Sequence, residues 1–203
     1  MIPDGVTKID DQVFYENTTL TSVTMPEGLT WIGQRAFMYC TNLKTVNFPS
    51  TLTSILHDAF GFCSSLTSIE LPDSVTGLGA GVFEQCTSLQ SVKLSENLTT
   101  INSGDFYHCE SLETIDFPAK VKYINTSAFQ GCASLTNVTL PEKLQTVGSK
   151  AFTDCPNLTS VAIPEINYST TSSDAFDYST VVFSVEHLAV YDGERISAVR
   201  CIG

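Results

Sequence analysis

The sequence lacks both a long apolar segment and an excess of basic residues. A transmembrane helix needs about 20 consecutive apolar residues, and no run of that length occurs in the 203 residues. From the first residues, Met1-Ile2-Pro3, we predict no signal peptide. Lysine and arginine total 10 against 22 aspartates and glutamates, which gives a net charge of -12. Because nucleic acids and anionic lipids attract basic faces, we predict neither nucleic-acid binding nor direct membrane insertion.

Recognisable catalytic and cofactor-binding motifs are also missing. The sequence contains no G-x-S-x-G, H-E-x-x-H or protein-kinase motif, and it has no C-x-x-C pair of the kind that zinc sites use. Glycines at positions 77, 79 and 81 resemble half of a phosphate-binding loop, but no Gly-Lys-Ser/Thr follows them. The three histidines, His57, His108 and His187, have unrelated spacings. We therefore predict a protein that is not an enzyme and that has no catalytic residues, metal or cofactor.

Six of the seven cysteines reveal a repeat of 23 residues, because they occupy positions 40, 63, 86, 109, 132 and 155. A fixed period of about 20–50 residues is the sequence signature of a repeat protein. Phenylalanine recurs at 14, 37, 60, 83, 106, 129 and 152, and leucine at 20, 43, 66, 89, 112, 135 and 158. Proline occupies 3, 26, 49, 72, 118, 141 and 164, and Ser95 fills the remaining position of that column. Four columns in one register indicate a stacked repeat architecture.

One unit shows how the repeat should fold. Apolar and polar residues alternate over 45–48, which is typical of a strand with one buried face. Pro49 has no N–H for a sheet ladder and should end that strand. Residues 52–55 form a second buried stretch, which is compatible with a short strand on the far side. Residues 58–63 predict a brief helical or 3₁₀ turn.

A unit of 23 residues cannot close a core alone, but stacked units can cover one another. We therefore predict an α/β-type solenoid dominated by β-structure, with seven to eight turns and a parallel sheet on one face. With strands about 4.8 Å apart, its length is on the order of 35–40 Å. Phe83, in the middle of the array, should be covered by more neighbours than Phe176, near its end.

The repeat pattern decays after Pro164. We predict that residues 1–176 form the solenoid, with a degenerate last turn at 174–176. Residues 177–203 are predicted to form a carboxy-terminal cap. In that segment Asp192-Gly193 lies between two apolar stretches, which is typical of a β-hairpin with a type I′ turn.

The repeated unit resembles the leucine-rich repeat of BspA-like surface proteins. The segments LPDSVTGLGAGVFEQCTSLQSVKL and FPSTLTSILHDAFGFCSSLTSIEL follow its pattern, I/L-P-x-x-L-x-x-I-x-x-x-A-F-x-x-C-x-x-L-x-x-V-x-F/L. The resemblance extends from residue 2 to about residue 164. It departs from the commonest leucine-rich repeat pattern because the sequence has no asparagine column. The resemblance implies a leucine-rich repeat fold in a cell-surface or secreted protein that mediates adhesion to host extracellular proteins or other cells.

The strand segment of each unit carries two polar columns that should face away from the core. Small hydroxyl and amide side chains predominate in both columns, with charged residues at the centre. The candidate partner-binding residues on this concave sheet face are Thr45, Asn47, Ser68, Glu70, Ser91, Lys93, Thr114, Asp116, Asn137 and Thr139. Solenoids commonly bind partners through such faces. The alternative is a merely solvated sheet, and no run of exposed aromatic residues is predicted.

The cysteine column is open to more than one interpretation. Equivalent Cα atoms in stacked turns should lie about 4.8 Å apart, which is within the range for a disulfide. Their Cβ vectors should run parallel, however, and this conflicts with the torsion of about 90° that a disulfide requires. We therefore predict buried free thiols. Asn-x-Ser/Thr sequences begin at residues 17, 97, 125, 137, 157 and 167, and we interpret them as a consequence of composition rather than as glycosylation sites.

These observations and the resemblance together predict a monomeric binding module of an extracellular or cell-surface protein. Its expected partners are host extracellular-matrix or cell-surface proteins, or glycans, bound through the concave sheet face. A rigid spacer within a larger surface protein is the main alternative. An intracellular protein-interaction scaffold is a further alternative.

Overall fold

The computed structural model describes residues 2–163, 171–177 and 181–185, which form a parallel β-solenoid of about seven turns. Each coil consists of a strand, a bend, a second strand and a series of tight turns. The fold class predicted from the repeat is confirmed. The described residues contain no helix at all, and so none that could cross a membrane.

Two parallel sheets run along the solenoid, and their strands are numbered along the chain. Sheet 1 contains β2 (Ser22–Thr24), β4 (Thr45–Asn47), β6 (Ser68–Glu70), β8 (Ser91–Lys93), β10 (Thr114–Ile115), β12 (Asn137–Thr139), β14 (Ser160–Ile163) and β15 (Val182–Val185). Sheet 2 contains β1 (Lys8–Ile9), β3 (Trp31–Ile32), β5 (Ser54–Ile55), β7 (Gly77–Leu78), β9 (Thr100–Ile101), β11 (Tyr123–Ile124) and β13 (Thr146–Val147). The second buried stretch of each unit is therefore a strand. The ladder of sheet 1 is interrupted after β4 and after β8, and that of sheet 2 after β7.

The strands of sheet 1 bury every second side chain. In β4, Val46 is buried, whereas Thr45 and Asn47 are exposed. Val46 pairs with Val23 of the preceding coil. Because the pairing advances by one repeat per strand, the buried and exposed columns stay aligned along the sheet. Pro49 follows β4 and offers no N–H that could extend the ladder.

The third side of each coil is a series of tight turns and is named here the turn side. It comprises residues 10–17, 33–40, 56–63, 79–86, 102–109, 125–132 and 148–155. The helical or 3₁₀ turn predicted at 58–63 is therefore not formed. The N–H of Phe60 donates to the carbonyl of Val82 in the next coil at 2.9 Å, whereas the N–H of Cys63 donates to the carbonyl of Phe60 at 3.3 Å. Phe62 has a φ of 60°, which lies in the left-handed region and prevents a continuous right-handed helix.

A column of phenylalanines forms the centre of the core. The six rings from Phe37 to Phe152 have no exposed surface, and successive rings stack with centroids 5.0–5.8 Å apart. Each buried ring should contribute about 1.5–3 kcal/mol to stability. Phe176 contacts the rings of both Phe152 and Phe183 and is only 4% exposed. Phe83 also contacts two rings, so the predicted difference in ring coverage between Phe83 and Phe176 is not seen.

The cysteine column is bonded to the backbone of the phenylalanine column. All six cysteines of the column are buried free thiols. Each Sγ lies 3.1–3.3 Å from the carbonyl oxygen of a phenylalanine 26 residues earlier. Cys86, for example, donates to the carbonyl of Phe60, which also accepts the N–H of Cys63. Burial raises the pKa of Cys86 to about 12, so this thiol remains a protonated donor at neutral pH.

The solenoid continues beyond its last regular repeat. Strand β15 pairs in parallel with β14 and places Phe183 opposite Val161. Isolated bridges join Val147 to Thr171 and Phe152 to Phe176. By its pairing, β15 extends sheet 1, although the sequence analysis assigns its residues to the cap. The hairpin predicted at Asp192-Gly193 lies outside the described residues.

Candidate functional site

All ten candidate residues lie exposed on one face of sheet 1. They belong to β4, β6, β8, β10 and β12 or, in the case of Asp116, directly follow a strand. The hydroxyl column consists of Thr45, Ser68, Ser91, Thr114 and Asn137, and the charged column consists of Asn47, Glu70, Lys93, Asp116 and Thr139. The sequence pattern therefore places these side chains correctly on the exposed side of the sheet, where a partner could reach them.

The parallel register fixes how the two columns are spaced. Ser68 lies opposite Ser91, and Glu70 lies opposite Lys93. Neighbouring strands lie about 4.8 Å apart, so equivalent side chains repeat at that distance along the face. Ile69, between the two columns, is only 3% exposed and anchors its strand to the core. The result is a regular array of polar side chains on strands that buried residues such as Ile69 anchor to the core.

Charge is concentrated at the centre of the face. Lys93 Nζ lies 2.5 Å from Glu70 Oε1, and both side chains are about 70% exposed, at 69% and 71%. The hydrogen bond from Lys93 to Glu70, together with the negative charge of Glu70, raises the pKa of Lys93. Such exposed ion pairs contribute little to stability, so a partner could reorganise this one at small cost. Asp116 in the next coil leaves the centre with one net negative charge.

The hydroxyl column continues into an apolar residue that the sequence analysis missed. Ser160 of β14 lies opposite Val182 of β15, and Val182 is 39% exposed. The spacing between these two residues is one short of the repeat, so an alignment on the 23-residue period does not bring Val182 into the column. An exposed valine gives this end of the face a hydrophobic contact that the polar columns lack.

Two of the remaining sequence candidates, His57 and Gly79, take part in packing between coils. The Nδ1 atom of His57 accepts the N–H of Ala80 at 2.8 Å and so joins two coils. Gly79 allows two backbones to approach, because a Cβ there would lie 2.2 Å from the backbone nitrogen of His57. His108 lies on the turn side, and His187 is outside the described residues. Within the part of the chain that the structure describes, no three His, Cys, Asp or Glu side chains form a group that could hold a metal ion.

The turn side carries a group of aromatic residues, one exposed and two half-buried, that the sequence analysis did not predict. The rings of Tyr39 and Phe62 stack with centroids 4.5 Å apart, and Tyr15 meets Tyr39 edge to face at 5.7 Å. Tyr15 is 39% exposed, and the other two side chains are half-buried. The available signal was the 23-residue spacing of Tyr39 and Phe62. This spacing was inconspicuous because no other member of that column is a tyrosine, phenylalanine or tryptophan.

Among the residues that the structure describes, one carboxyl group is fully buried in the core, and the sequence columns did not single it out. Asp105 has no exposed surface and occupies the position that Ala59 and Ala128 fill in other coils. Burial raises the pKa of Asp105 to about 7, against the opposing effect of hydrogen bonds from the backbone N–H groups of Asn102 and Val82. This carboxyl group lies inside the coil and not on the face of sheet 1, so it bears on stability rather than on binding.

Comparisons with known proteins support the resemblance drawn from the repeat. The family model described as a BspA type leucine rich repeat region matches residues 1–109 and 53–183, with 6 copies. The solved leucine-rich repeat protein of T. pallidum is 36% identical to this chain. The match covers 77% of this chain and 74% of that one, with a TM-score of 0.73.

Two other solved structures share the fold. A leucine-rich cell surface protein from Faecalibacterium prausnitzii is 27% identical, with a TM-score of 0.58 and coverage of 84% of this chain and 52% of that one. A leucine-rich repeat protein from Eubacterium ventriosum is 23% identical, with a TM-score of 0.65 and coverage of 88% and 47% respectively. This chain therefore spans about half the length of these two relatives. No curated protein matches the sequence.

Proposed function

The chain belongs to the BspA-type leucine-rich repeat family, and we propose that it is a non-enzymatic binding module of a cell-surface or secreted protein. Its proposed binding surface is the exposed face of sheet 1, formed by the hydroxyl column and the charged column. The proposed partners are host extracellular-matrix or cell-surface proteins, or glycans. Binding them would make the module a mediator of adhesion.

The observation that carries this proposal is the run of exposed polar side chains across five successive strands of one sheet. Hydroxyl and amide groups offer both donors and acceptors, and short side chains lose little entropy when a partner orders them. The central charges add specificity. Solenoid proteins use extended faces of this kind for binding. The description of the F. prausnitzii relative as a cell surface protein supports the proposed location.

Regular repetition of the face favours many weak contacts over one strong contact. No aromatic residue lies in either column, and aromatic anchors usually dominate tight interfaces. Several modules displayed together can nevertheless bind strongly, because each further contact is made at a high effective concentration. The proposal therefore predicts clear binding only in a multivalent format.

The test is binding of bead-displayed protein to immobilised fibronectin, fibrinogen and a mixed glycan panel. The face variant combines Glu70→Ala, Lys93→Ala and Asp116→Ala, and the matched control combines Asp4→Ala, Glu142→Ala and Lys143→Ala. The control residues are exposed, lie outside sheet 1 and change the net charge equally. We expect the face variant to lose about tenfold or more in bead retention and the control to bind like the unmodified protein.

Each outcome has a distinct meaning. Equal binding by the face variant and the control would reject the face of sheet 1 as the binding surface. An absence of binding by every protein, even on beads, would favour the rigid-spacer alternative. Thermal unfolding of all three proteins shows whether a loss of binding reflects a loss of structure.

A further inference from the structure

The turn side carries a second surface whose composition differs from that of sheet 1. Tyr15, Tyr39 and Phe62 form the aromatic patch, a contiguous group that extends over the first three coils. Tyrosine combines a large apolar ring with a hydroxyl group and is enriched at protein interfaces. The aromatic patch therefore has the character of a binding surface that the columns of sheet 1 lack.

The core does not require these aromatic rings. Tyr39 and Phe62 have φ values of 63° and 60°, in a region that bulky residues rarely adopt. Equivalent positions in other coils hold the polar residues Gln85 and Asp154, with φ values of 57° for both, and the same turns form there. Aromatic residues at 39 and 62 thus expose apolar surface that is not needed to build the coil.

Carboxylates predominate among the charged groups beside the aromatic patch. Arg35 Nε lies 3.1 Å from Asp58 Oδ2. Glu84 interacts electrostatically with both Asp58 and Arg35. Burial and the negative charge of Asp58 raise the pKa of Glu84. Glu16 interacts with Tyr15. Glu16, Asp58 and Glu84 therefore bring three carboxylates and Arg35 one guanidinium group to this part of the turn side, in a protein of net charge -12.

We propose that the aromatic patch and the flanking carboxylates of Glu16, Asp58 and Glu84 form a second interaction surface, for a protein segment that presents arginine or lysine beside apolar side chains. The cationic groups would pair with the carboxylates and contact the aromatic rings. The apolar side chains of the segment would cover exposed ring surface. The negative charge of the whole protein would steer such a segment toward it. This surface is distinct from the sheet face of the proposed function.

The test uses short fluorescent peptides of repeated Gly-Arg-Leu, Gly-Glu-Leu and Gly-Arg-Ser with the full chain. The aromatic variant combines Tyr39→Asn and Phe62→Asn, because asparagine tolerates the left-handed backbone. Gln85→Asn, in the same column, is its matched control. We expect Gly-Arg-Leu to bind, Gly-Glu-Leu not to bind, and Gly-Arg-Ser to bind more weakly. We expect the aromatic variant to lose about tenfold in affinity for Gly-Arg-Leu, whereas the control should lose none.

A second pair of variants separates local recognition from general charge attraction. Glu16→Gln with Glu84→Gln removes two charges beside the aromatic patch, whereas Glu113→Gln with Glu142→Gln removes two charges from exposed residues that belong to neither proposed surface. Only the first pair should weaken binding beyond the effect of net charge. Equal losses in the two pairs, unchanged affinity in the aromatic variant, or no binding of Gly-Arg-Leu would each overturn the proposal. Amide chemical-shift mapping of Gly-Arg-Leu binding to the unmodified protein locates the binding surface without any variant. Shift changes spread over all faces of the protein would also overturn the proposal.

Discussion

Asp105 shows how one side chain alters a core that is otherwise built from apolar columns. Its carboxylate accepts the backbone N–H of Asn102 at 2.7 Å and that of Val82 at 3.4 Å. These two bonds only partly replace hydration, and burial therefore disfavours the ionised form and raises the pKa to about 7. An unfolded chain restores the ordinary pKa of an aspartate. The folded protein therefore binds this proton more tightly than the unfolded chain does.

This linkage predicts a pH dependence with a definite sign. Because the pKa of Asp105 is raised on folding, the free energy of unfolding should fall as the pH rises from about 4 to about 7 and should then level off. The stability lost across that window is on the order of 3–4 kcal/mol. Asp105→Ala, which restores the usual residue of the column, should remove this component. Urea titrations at several pH values check it, with exposed Asp116→Ala as the control, and parallel pH profiles for Asp105→Ala and the unmodified protein would contradict it.

At the scale of the element, the turn side depends on two left-handed residues in each coil. One column of positive φ contains residues 12, 35, 58, 81, 104, 127 and 150, and the other contains residues 16, 39, 62, 85, 108, 131 and 154. Only Gly81, Gly104 and Gly131 among these are glycines, although a left-handed conformation costs other residues about 1–2 kcal/mol each. The alternation of hydrogen bonds within and between coils offsets this cost.

The positive φ values of the turn side predict that a substitution by glycine at one of these positions should not lower stability. Ser127 has a φ of 55° and makes its backbone hydrogen bond to the next coil, so Ser127→Gly should relieve strain and leave stability unchanged or raised by up to about 1 kcal/mol. The adjacent Thr126 does not have a positive φ, and Thr126→Gly should cost about 0.5–1 kcal/mol. Denaturant titration of the two variants measures the difference. A larger loss for Ser127→Gly than for Thr126→Gly would show that the backbone at residue 127 is not strained.

At the scale of the whole molecule, stability should come from contacts between neighbouring coils. Each Phe ring of the central column stacks on its equivalents before and after it, whereas Phe14 in the first coil has only Phe37 on one side and is half-buried. Val13 in the same coil is 55% exposed. In such nearly one-dimensional proteins, stability is approximately a sum over units and the interfaces between them. The described amino end should therefore be less stable than the middle.

Periodicity made the interior of this molecule predictable, because a residue that recurs every 23 positions meets its own equivalents in adjacent coils. The burial of the Phe and Cys columns and the exposure of Thr45 and Asn47 follow directly from this rule. The course of the turn side does not, since a left-handed φ at Phe62 has no signature in a residue type that seldom adopts it. Val182 was missed for a different reason, since the repeat is shortened by one residue just before it.

The coil-stacking model makes a prediction about position along the array. Phe83 is fully buried between the rings of Phe60 and Phe106, so Phe83→Ala should lower the free energy of unfolding by about 3–5 kcal/mol. Phe14→Ala deletes the same side chain where one face of the ring is uncovered, and it should cost about 1–2 kcal/mol. Phe176→Ala should resemble Phe83→Ala, because Phe152 and Phe183 enclose its ring.

Urea titrations followed by circular dichroism measure these three losses under one set of conditions, and the slopes report whether the array unfolds as one unit. If Phe14→Ala proved as costly as Phe83→Ala with an unchanged slope, the coils would be coupled over the whole array rather than through neighbours alone. A small loss for Phe176→Ala would instead mean that the contacts of its ring with Phe152 and Phe183 contribute little in solution. A graded series, from Phe14 to the two interior positions, is the result expected if each coil is stabilised by the rings above and below it.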